Sequence, residues 1–194
     1  SAVLYPPLRG SERYHCNDYG DYFFYPSRIT KGKRQYLAVE SMKYTESNVK
    51  LIIAGNPDVP EELVDLKSVI KTNKLEAMVK IIGKWISEED KIELFANALG
   101  CLFIPYNEDY GYVTLEAYHS KKPVITCSDS GGPLEFVENG ASGLVVPPEP
   151  KSIAAAMDKL FYSKKLCRGM GQAGFEKLRS MNINWDNVVE RLIE

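Results

Sequence analysis

Residues 101–135 read CLFIPYNEDYGYVTLEAYHSKKPVITCSDSGGPLE and carry the pattern that decides the fold. The apolar run at 101–105, bounded by turn residues, is typical of a buried strand in a parallel sheet. After a polar loop, the apolar pattern of 113–118 indicates a short helix. A second buried strand is predicted at 123–127, and the glycine-paired turn 128–132 leads into another helix. Two strand-to-helix turns therefore follow each other closely.

The same alternation extends along the rest of the chain. Further strands are predicted at 22–26, 49–54, 78–82 and 143–146, with helical patterns between them. Short strands that alternate with helices indicate βαβ units with right-handed crossovers. We therefore predict an α/β fold, a Rossmann-like doubly wound parallel sheet of about six strands with flanking helices and a helical C-terminal tail.

Two glutamates mark the predicted ligand edge of this sheet. Glu108 falls in the polar loop and Glu116 in the short helix. In an open α/β sheet, ligands bind beyond the carboxyl ends of the strands, where helix N-termini favour phosphates. The carboxylates suit hydroxyl groups instead, because an ionised carboxylate only accepts hydrogen bonds. A sugar nucleotide has both features, whereas the alternative interpretation is a pair of exposed surface carboxylates.

The ordered pattern resembles a known family of enzymes. Seven residues separate Glu108 from Glu116, Gly111 lies between them, and Gly132 and Glu135 follow. Together with the strings LEA, PVI and GG, this is similar to the E-x7-E signature of the family 4 retaining glycosyltransferases. The resemblance implies the GT-B fold and transfer of a sugar from a nucleotide diphosphate sugar with retention at the anomeric carbon. It also implies a setting such as polysaccharide, lipopolysaccharide or glycolipid synthesis.

The resemblance assigns roles to residues of this signature. Glu108 would contact hydroxyls of the transferred sugar, and Glu116 would contact the nucleotide ribose. The backbone of Gly111, Tyr112 and Val113 would reach the phosphate or the sugar. Leu115 would line the ribose pocket.

A basic loop follows the first predicted strand. Arg28 and Lys33 lie in the string SRITKGKR, which looks like the family loop whose arginine and lysine hold the donor diphosphate. A guanidinium and an ammonium beside a helix N-terminus suit that anion. Lys31 is a competing candidate for the lysine. Without the resemblance, a solvated basic loop explains the same residues.

Two further turns have an implied place in the donor site. Trp85, or its backbone, would lie against the base, although a buried core tryptophan is an equal alternative. Gly132 belongs to a turn that would form a backbone nest near the phosphates, and ordinary turn chemistry explains that turn equally well. No metal is expected, since basic residues and helix dipoles neutralise the diphosphate in this family. The nucleotide diphosphate sugar is then a substrate, and no cofactor is required.

Composition and charge set the broad class. The 194 residues are 44% apolar and 26% charged, with a net charge of -2, so no feature favours nucleic acid as a partner. The 4 cysteines are scattered and lack metal-ligand spacing. The sequence shows neither a secretory signal nor an apolar run of membrane-spanning length, so we expect a cytoplasmic location.

The resemblance covers only half of a two-domain family enzyme. We expect residues 1–19 to be a hinge from a missing N-terminal domain, 20–183 to be the donor-binding domain, and 184–194 to be a helix that crosses back. The missing domain would supply the acceptor site, for a sugar or lipid-linked sugar, and any peripheral membrane association. The chain alone is then expected to be inactive. The alternative is a non-catalytic nucleotide-binding or regulatory domain, but a dehydrogenase is disfavoured because no G-x-G-x-x-G follows the first strand.

Overall fold

The computed structural model describes residues 4–193 and contains one sheet of parallel strands. The strands are β1 (Tyr22–Pro26), β2 (Lys50–Ala54), β3 (Val79–Ile82), β4 (Gly100–Leu102), β5 (Val124–Cys127) and β6 (Gly143–Val146). Their order across the sheet is β3-β2-β1-β4-β5-β6. The chain reverses its direction of travel between β1 and β4, which opens a crevice at the carboxyl ends of those strands. The predicted Rossmann-like doubly wound fold is confirmed.

Helices cover both faces of this sheet and form the predicted helical tail. They are α1 (Gln35–Ser41), α2 (Pro60–Thr72), α3 (Glu88–Ala96), α4 (Tyr112–His119), α5 (Pro133–Phe136), α6 (Pro150–Phe161), α7 (Lys164–Ser180) and α8 (Trp185–Ile193). Local sequence explains several of their starts. Pro60 and Pro150 each occupy a first-turn position, and the Ser87 hydroxyl accepts a hydrogen bond from the Asp90 N–H at 3.0 Å.

The core lies on both sides of the central strands. Phe23, Phe24 and Tyr25 of β1 are completely buried, and β5 is buried along its whole length. Continuous apolar strands of this kind form where helices cover both faces of a parallel sheet. The centre of the sheet therefore gives a rigid base for the loops at its carboxyl edge.

Two predicted elements are shorter in the structure. The strand predicted at 101–105 ends at Leu102, although the Phe103 N–H still donates to the Ile125 carbonyl at 2.9 Å. The helix predicted after the glycine pair is only the single turn α5. The loops that follow β4 and β5 lie against each other, since the Glu108 N–H donates to the Ser130 carbonyl at 2.9 Å.

The described part of the predicted hinge, residues 4–19, packs against the sheet domain. Tyr14 and Tyr19 are each 6% exposed, and the Lys122 ammonium donates to the Asp18 carbonyl. Residues 1–3 of the predicted hinge and Glu194 of the predicted last helix lie outside the described residues. The division of the chain into hinge, donor-binding domain and crossing helix stays a prediction. Within residues 4–193, no helix combines the length and apolar character needed to cross a membrane.

Candidate donor-binding site

The two signature glutamates occupy different structural settings at the same edge of the sheet. Glu108 lies in the loop after β4, and Glu116 lies on α4, which begins at Tyr112. Gly111 precedes α4 with φ of 83°, and an added Cβ would lie 3.0 Å from the Pro133 ring. Glycine is favoured there because the left-handed region strains other residues. Gly111 thus sets the turn that separates the two carboxylates.

Glu108 is held by an ion pair and by its backbone. Its carboxylate pairs with the Lys33 ammonium, and the two side chains are 24% and 18% exposed. The Glu108 N–H donates to the Ser130 carbonyl at 2.9 Å, and the Gly132 N–H donates to the Glu108 carbonyl at 2.6 Å. The interpretation of Glu108 as an exposed surface carboxylate is therefore wrong.

Glu116 is more deeply buried and has two partners. The Lys91 ammonium lies 2.6 Å from Glu116 Oε1, and the Tyr14 hydroxyl donates to the same oxygen at 3.2 Å. Burial raises the pKa of Glu116, and the positive charge of Lys91 opposes that rise. The Glu116 side chain is 9% exposed, so it is not a surface carboxylate either. A buried acceptor with fixed donors is well oriented for one further hydrogen bond.

A cavity of about 310 Å³ adjoins Glu116 at the carboxyl ends of β1 and β2. Four of the predicted site residues line it, and these are Arg28, Trp85, Val113 and Glu116. The side chain of Trp85 is not in the core, because 76% of this residue is exposed. The structure thus brings to one cavity the residues that were predicted to contact the ribose and the base, together with the predicted diphosphate arginine.

The two predicted diphosphate residues have separate ion partners. Arg28 is 70% exposed and its Nη1 lies 2.9 Å from Asp58 Oδ1, whereas Lys33 pairs with Glu108. Lys33 does not line the Glu116 cavity. Lys31 is exposed in the same turn of 3-10 helix, Lys31–Lys33. The loop therefore places Arg28 at the cavity and Lys33 beside Glu108.

The remaining predicted residues divide between surface and interior. Tyr112 is 43% exposed, and its ring packs edge-on against Tyr110. Gly132 lies so close to the preceding loop that a Cβ would meet the Tyr110 carbonyl at 2.7 Å. Leu115 is 1% exposed, and it borders a separate cavity with His119 and not the Glu116 cavity. Neighbouring residues on a helix face different directions, so the structure does not place the Leu115 side chain in the predicted ribose pocket.

Several residues of this region were not predicted from the sequence. Lys91, Tyr14 and Glu88 form the polar wall around Glu116, and Glu88 lies 2.9 Å from the Lys91 ammonium. Glu88 and Lys91 are three positions apart on α3, but their contacts with Glu116 and Tyr14 join segments that are distant in sequence, so no local pattern indicates those contacts. Arg34 and Asp129 form a second unpredicted pair, with hydrogen bonds of 2.8 and 2.7 Å. Only the basic character of the loop was a signal for Arg34.

The Arg34 pair connects the loops that follow β1 and β5. The guanidinium also lies 4.9 Å from the Tyr106 ring, on the loop after β4. The hydrogen bonds to Arg34 hold the pKa of Asp129 below its usual value. Backbone bonds extend the same network, since the Tyr106 N–H donates to the Gly32 carbonyl at 2.9 Å. Three loops at the ligand edge are thus joined to one another.

Comparison with known proteins identifies the family. The family model described as Glycosyl transferases group 1 matches residues 13–177. The chain belongs to this family. This group 1 glycosyl transferase chain is 34% identical over 131 residues to alpha-1,3/1,6-mannosyltransferase ALG2 of Mus musculus, covering 65% of the chain and 31% of the relative. It is 27% identical over 172 residues to the capsular polysaccharide biosynthesis glycosyltransferase CapM of Staphylococcus aureus, covering 84% of the chain and 43% of CapM. The group 1 chain therefore spans less than half the length of these curated relatives.

Solved structures with the same fold support the assignment of architecture. HepE of Anabaena, in complex with UDP and glucose, has a TM-score of 0.80 at 20% identity, covering 90% of the chain and 47% of HepE. The C-terminal domain of the group 1 family glycosyl transferase LpcC of Francisella tularensis has a TM-score of 0.73 at 22% identity, covering 92% of the chain and 95% of that domain. The group 1 chain thus has the fold of a GT-B C-terminal domain.

The described part of the chain contains no candidate metal-binding site. Among residues 4–193, no three His, Cys, Asp or Glu side chains form a group that could hold a metal ion. Cationic side chains at this edge include those of Arg28, Lys33, Arg34 and Lys91. The expectation that the donor is bound without a metal stays a prediction.

Proposed function

We propose that this chain is the donor-binding domain of a retaining glycosyltransferase that uses a nucleotide diphosphate sugar. The observation that carries the proposal is the cavity at the switch point, with the buried Glu116 in its wall and the Lys33–Glu108 pair at the same edge of the sheet. We place the enzyme in polysaccharide, lipopolysaccharide or glycolipid synthesis in the cytoplasm. The remaining domain would supply the acceptor site and any peripheral contact with a membrane.

Glu116 supports this proposal because its geometry suits a ribose. Its carboxylate accepts from Lys91 and Tyr14 through Oε1, and Glu116 lines the cavity, so its second oxygen has acceptor capacity for a ligand. A ribose hydroxyl would complete that set of donors. The backbone at Gly111, Tyr112 and Val113 begins α4, whose free N–H groups suit a phosphate.

The Lys33–Glu108 pair supports separate roles for these two residues at the reacting end of the donor. We infer that Lys33 and Arg28 stabilise the negative charge that grows on the departing diphosphate. Glu108 would accept hydrogen bonds from the sugar hydroxyls and so orient the anomeric carbon. In the free protein these opposite charges neutralise each other, which keeps both side chains at the sheet edge.

The relatives support the proposal at the level of chemistry. ALG2 is named as a mannosyltransferase, CapM as a glycosyltransferase of capsular polysaccharide synthesis, and HepE is described with UDP and glucose. Each name describes sugar transfer or a nucleotide bound to this fold. We propose that the chain shares that activity once its acceptor domain is present.

Calorimetric titration of the chain with UDP, GDP, ADP and NAD tests the proposal. We expect at least one nucleoside diphosphate to bind at least about tenfold more tightly than NAD, which has no free terminal phosphate for Lys33. Lys33→Ala should weaken that binding about tenfold, and the exposed neighbour Lys31 gives the matched control Lys31→Ala. Equal binding of NAD, or equal effects of the two lysine variants, would contradict the proposed donor site.

A further inference from the structure

A carboxylate and an ammonium stand side by side in the wall of the donor cavity, close to the start of α3. Glu88 Oε2 lies 2.9 Å from the Lys91 Nζ, and both residues line the cavity together with Trp85. The single proton of the Tyr14 hydroxyl is shared between Glu88 Oε1 at 2.6 Å and Glu116 Oε1 at 3.2 Å, so the shorter bond goes to Glu88. The ribose interpretation of Glu116 accounts for neither the position nor the charge of Glu88.

Glu88 keeps acceptor capacity toward the cavity. Each of its oxygens has one partner in the structure, and an ionised carboxylate offers about four lone-pair sites in total. Its side chain is 39% exposed, so the remaining sites are accessible. Burial raises the pKa of Glu88, but the hydrogen bonds from Tyr14 and Lys91 lower it by more, which favours the ionised form.

The nucleobases differ in what they present to such a pair. Guanine has a carbonyl oxygen beside two adjacent donors, the ring N1–H and the exocyclic amine. Uracil has one ring N–H between two carbonyl oxygens, and adenine has one amine beside a ring acceptor. A carboxylate can therefore accept two parallel hydrogen bonds only from guanine, while the neighbouring ammonium faces the guanine carbonyl.

The cavity also has the space and the surface for a purine. Its volume of about 310 Å³ lies within the usual range for small-ligand sites. Trp85 at its wall is 76% exposed and offers an aromatic face on which a base can stack. Stacking itself does not select a base, so selection falls to the polar groups.

We propose that Glu88 selects guanine, so that the donor of this enzyme is a guanosine diphosphate sugar. This inference rests on the proposed function, because it assigns the base of the same donor. Glu88 accepts from N1–H and the exocyclic amine, Lys91 donates to the carbonyl oxygen, and Glu116 receives the ribose. Glu88 is a specificity residue that contacts the base and takes no part in the transfer step.

Titration calorimetry of the 194-residue chain with four diphosphates tests the assignment. We expect GDP to bind at least about tenfold more tightly than UDP and ADP. Inosine diphosphate retains the ring N–H but lacks the exocyclic amine, so we expect it to bind between GDP and the other two. Glu88→Gln should bring GDP down to about the affinity of UDP, since the amide presents one acceptor and one mismatched donor.

A neighbouring glutamate gives the matched control. Glu89 pairs with Arg13, its side chain is 73% exposed, and it does not line the cavity. Glu89→Gln should leave the ranking of the four diphosphates unchanged. Should Glu88→Gln fail to fold, the comparison of GDP with inosine diphosphate on the wild-type chain still measures the contribution of the amine.

The outcomes separate this inference from the proposed function. UDP or ADP binding as tightly as GDP would overturn the choice of guanine and leave the donor site supported. A preference for GDP that survives in Glu88→Gln would overturn the role of Glu88. Failure of every diphosphate to bind would overturn both proposals.

Discussion

Glu108 and Glu116 have the same side chain, yet the structure uses them differently. Glu108 lies on a loop, pairs with one lysine and is 24% exposed, whereas Glu116 lies on a helix, contacts Lys91 and Tyr14, and is 9% exposed. Burial restricts Glu116 to one orientation, because leaving its partners unpaired is costly. We expect Glu108 to exchange its partner for a ligand at lower cost, because its side chain is more exposed. The signature therefore combines a fixed acceptor with an adjustable one.

Glu116→Ala should have the largest effect, and it tests directly how the role of Glu116 differs from that of Glu108. The substitution leaves Lys91 with only Glu88 as a counter-charge, so we expect the free energy of unfolding to fall by about 2–3 kcal/mol. The affinity for a nucleoside diphosphate should fall at least about tenfold. Urea unfolding and calorimetry measure the two effects.

Glu116→Gln is the matched control, because it preserves the shape and the bond to Tyr14. We expect it to recover part of the stability and part of the affinity. A Glu116→Ala chain as stable as the wild type would remove the distinction between the fixed and the adjustable glutamate.

Glu108→Ala should act on the sugar and leave the nucleotide in place. We expect the variant to bind a nucleoside diphosphate with nearly wild-type affinity and to lose the extra affinity for the corresponding nucleotide sugar, about tenfold. The exposed neighbour Asp109 provides the control Asp109→Ala. Retention of the full sugar increment in Glu108→Ala would break the comparison, since Glu108 would then lack its assigned role.

Substitution of Arg34 or Asp129 should lower the stability of the protein moderately, because this pair joins the loops that hold Glu108. Two hydrogen bonds join these partly buried side chains, whose exposed fractions are 19% and 34%. We expect a coupling free energy of about 1–2 kcal/mol in a double-mutant cycle of Arg34→Ala and Asp129→Ala. Additive losses within about 0.3 kcal/mol would show that the pair does not join the loops energetically.

The smallest expected effect is the pH dependence of the stability that the same pair contributes. The pKa of Asp129 is lowered in the folded protein, so its stabilising contribution is present above the ordinary carboxyl pKa and is lost as pH falls through the folded value. We expect the stability difference between wild type and Asp129→Asn to be constant from pH 7 to about 5 and to shrink below roughly pH 4. Urea unfolding across this range measures it, and a difference that grows on acidification would contradict the sign.

Sequence patterns predicted the strands and helices of the domain, because these elements follow from local periodicity. The buried runs that contain Phe23 and Val124 are strands in the structure, and the outer strand β6 has the predicted bounds. The strand predicted at 101–105 was too long, since apolar residues such as Phe103 and Ile104 also occur in a loop that other segments bury. Periodicity reports burial, but it does not report which partner buries the residue.

The site was predicted in part, and the missing part has one physical origin. The spacing of Glu108 and Glu116, the turn at Gly111 and the loop of Arg28 are local features that the sequence displays. The ion partners are not local. Lys91 is separated from Glu116 by 25 residues and Tyr14 by 102, so only the packing of the chain brings these groups within hydrogen-bond distance.

The sequence by itself indicated the type of fold, the edge of the sheet at which a ligand is predicted to bind and the two carboxylates that lie at that edge. These depend on the alternation of short apolar runs with helices, which a chain displays before it folds. The tertiary structure alone decided that Glu116 is more deeply buried than Glu108, and that Glu88 and Lys91 line the cavity beside Glu116. Burial and charge pairing are properties of the assembled loops, because they depend on groups that meet only when the chain is folded.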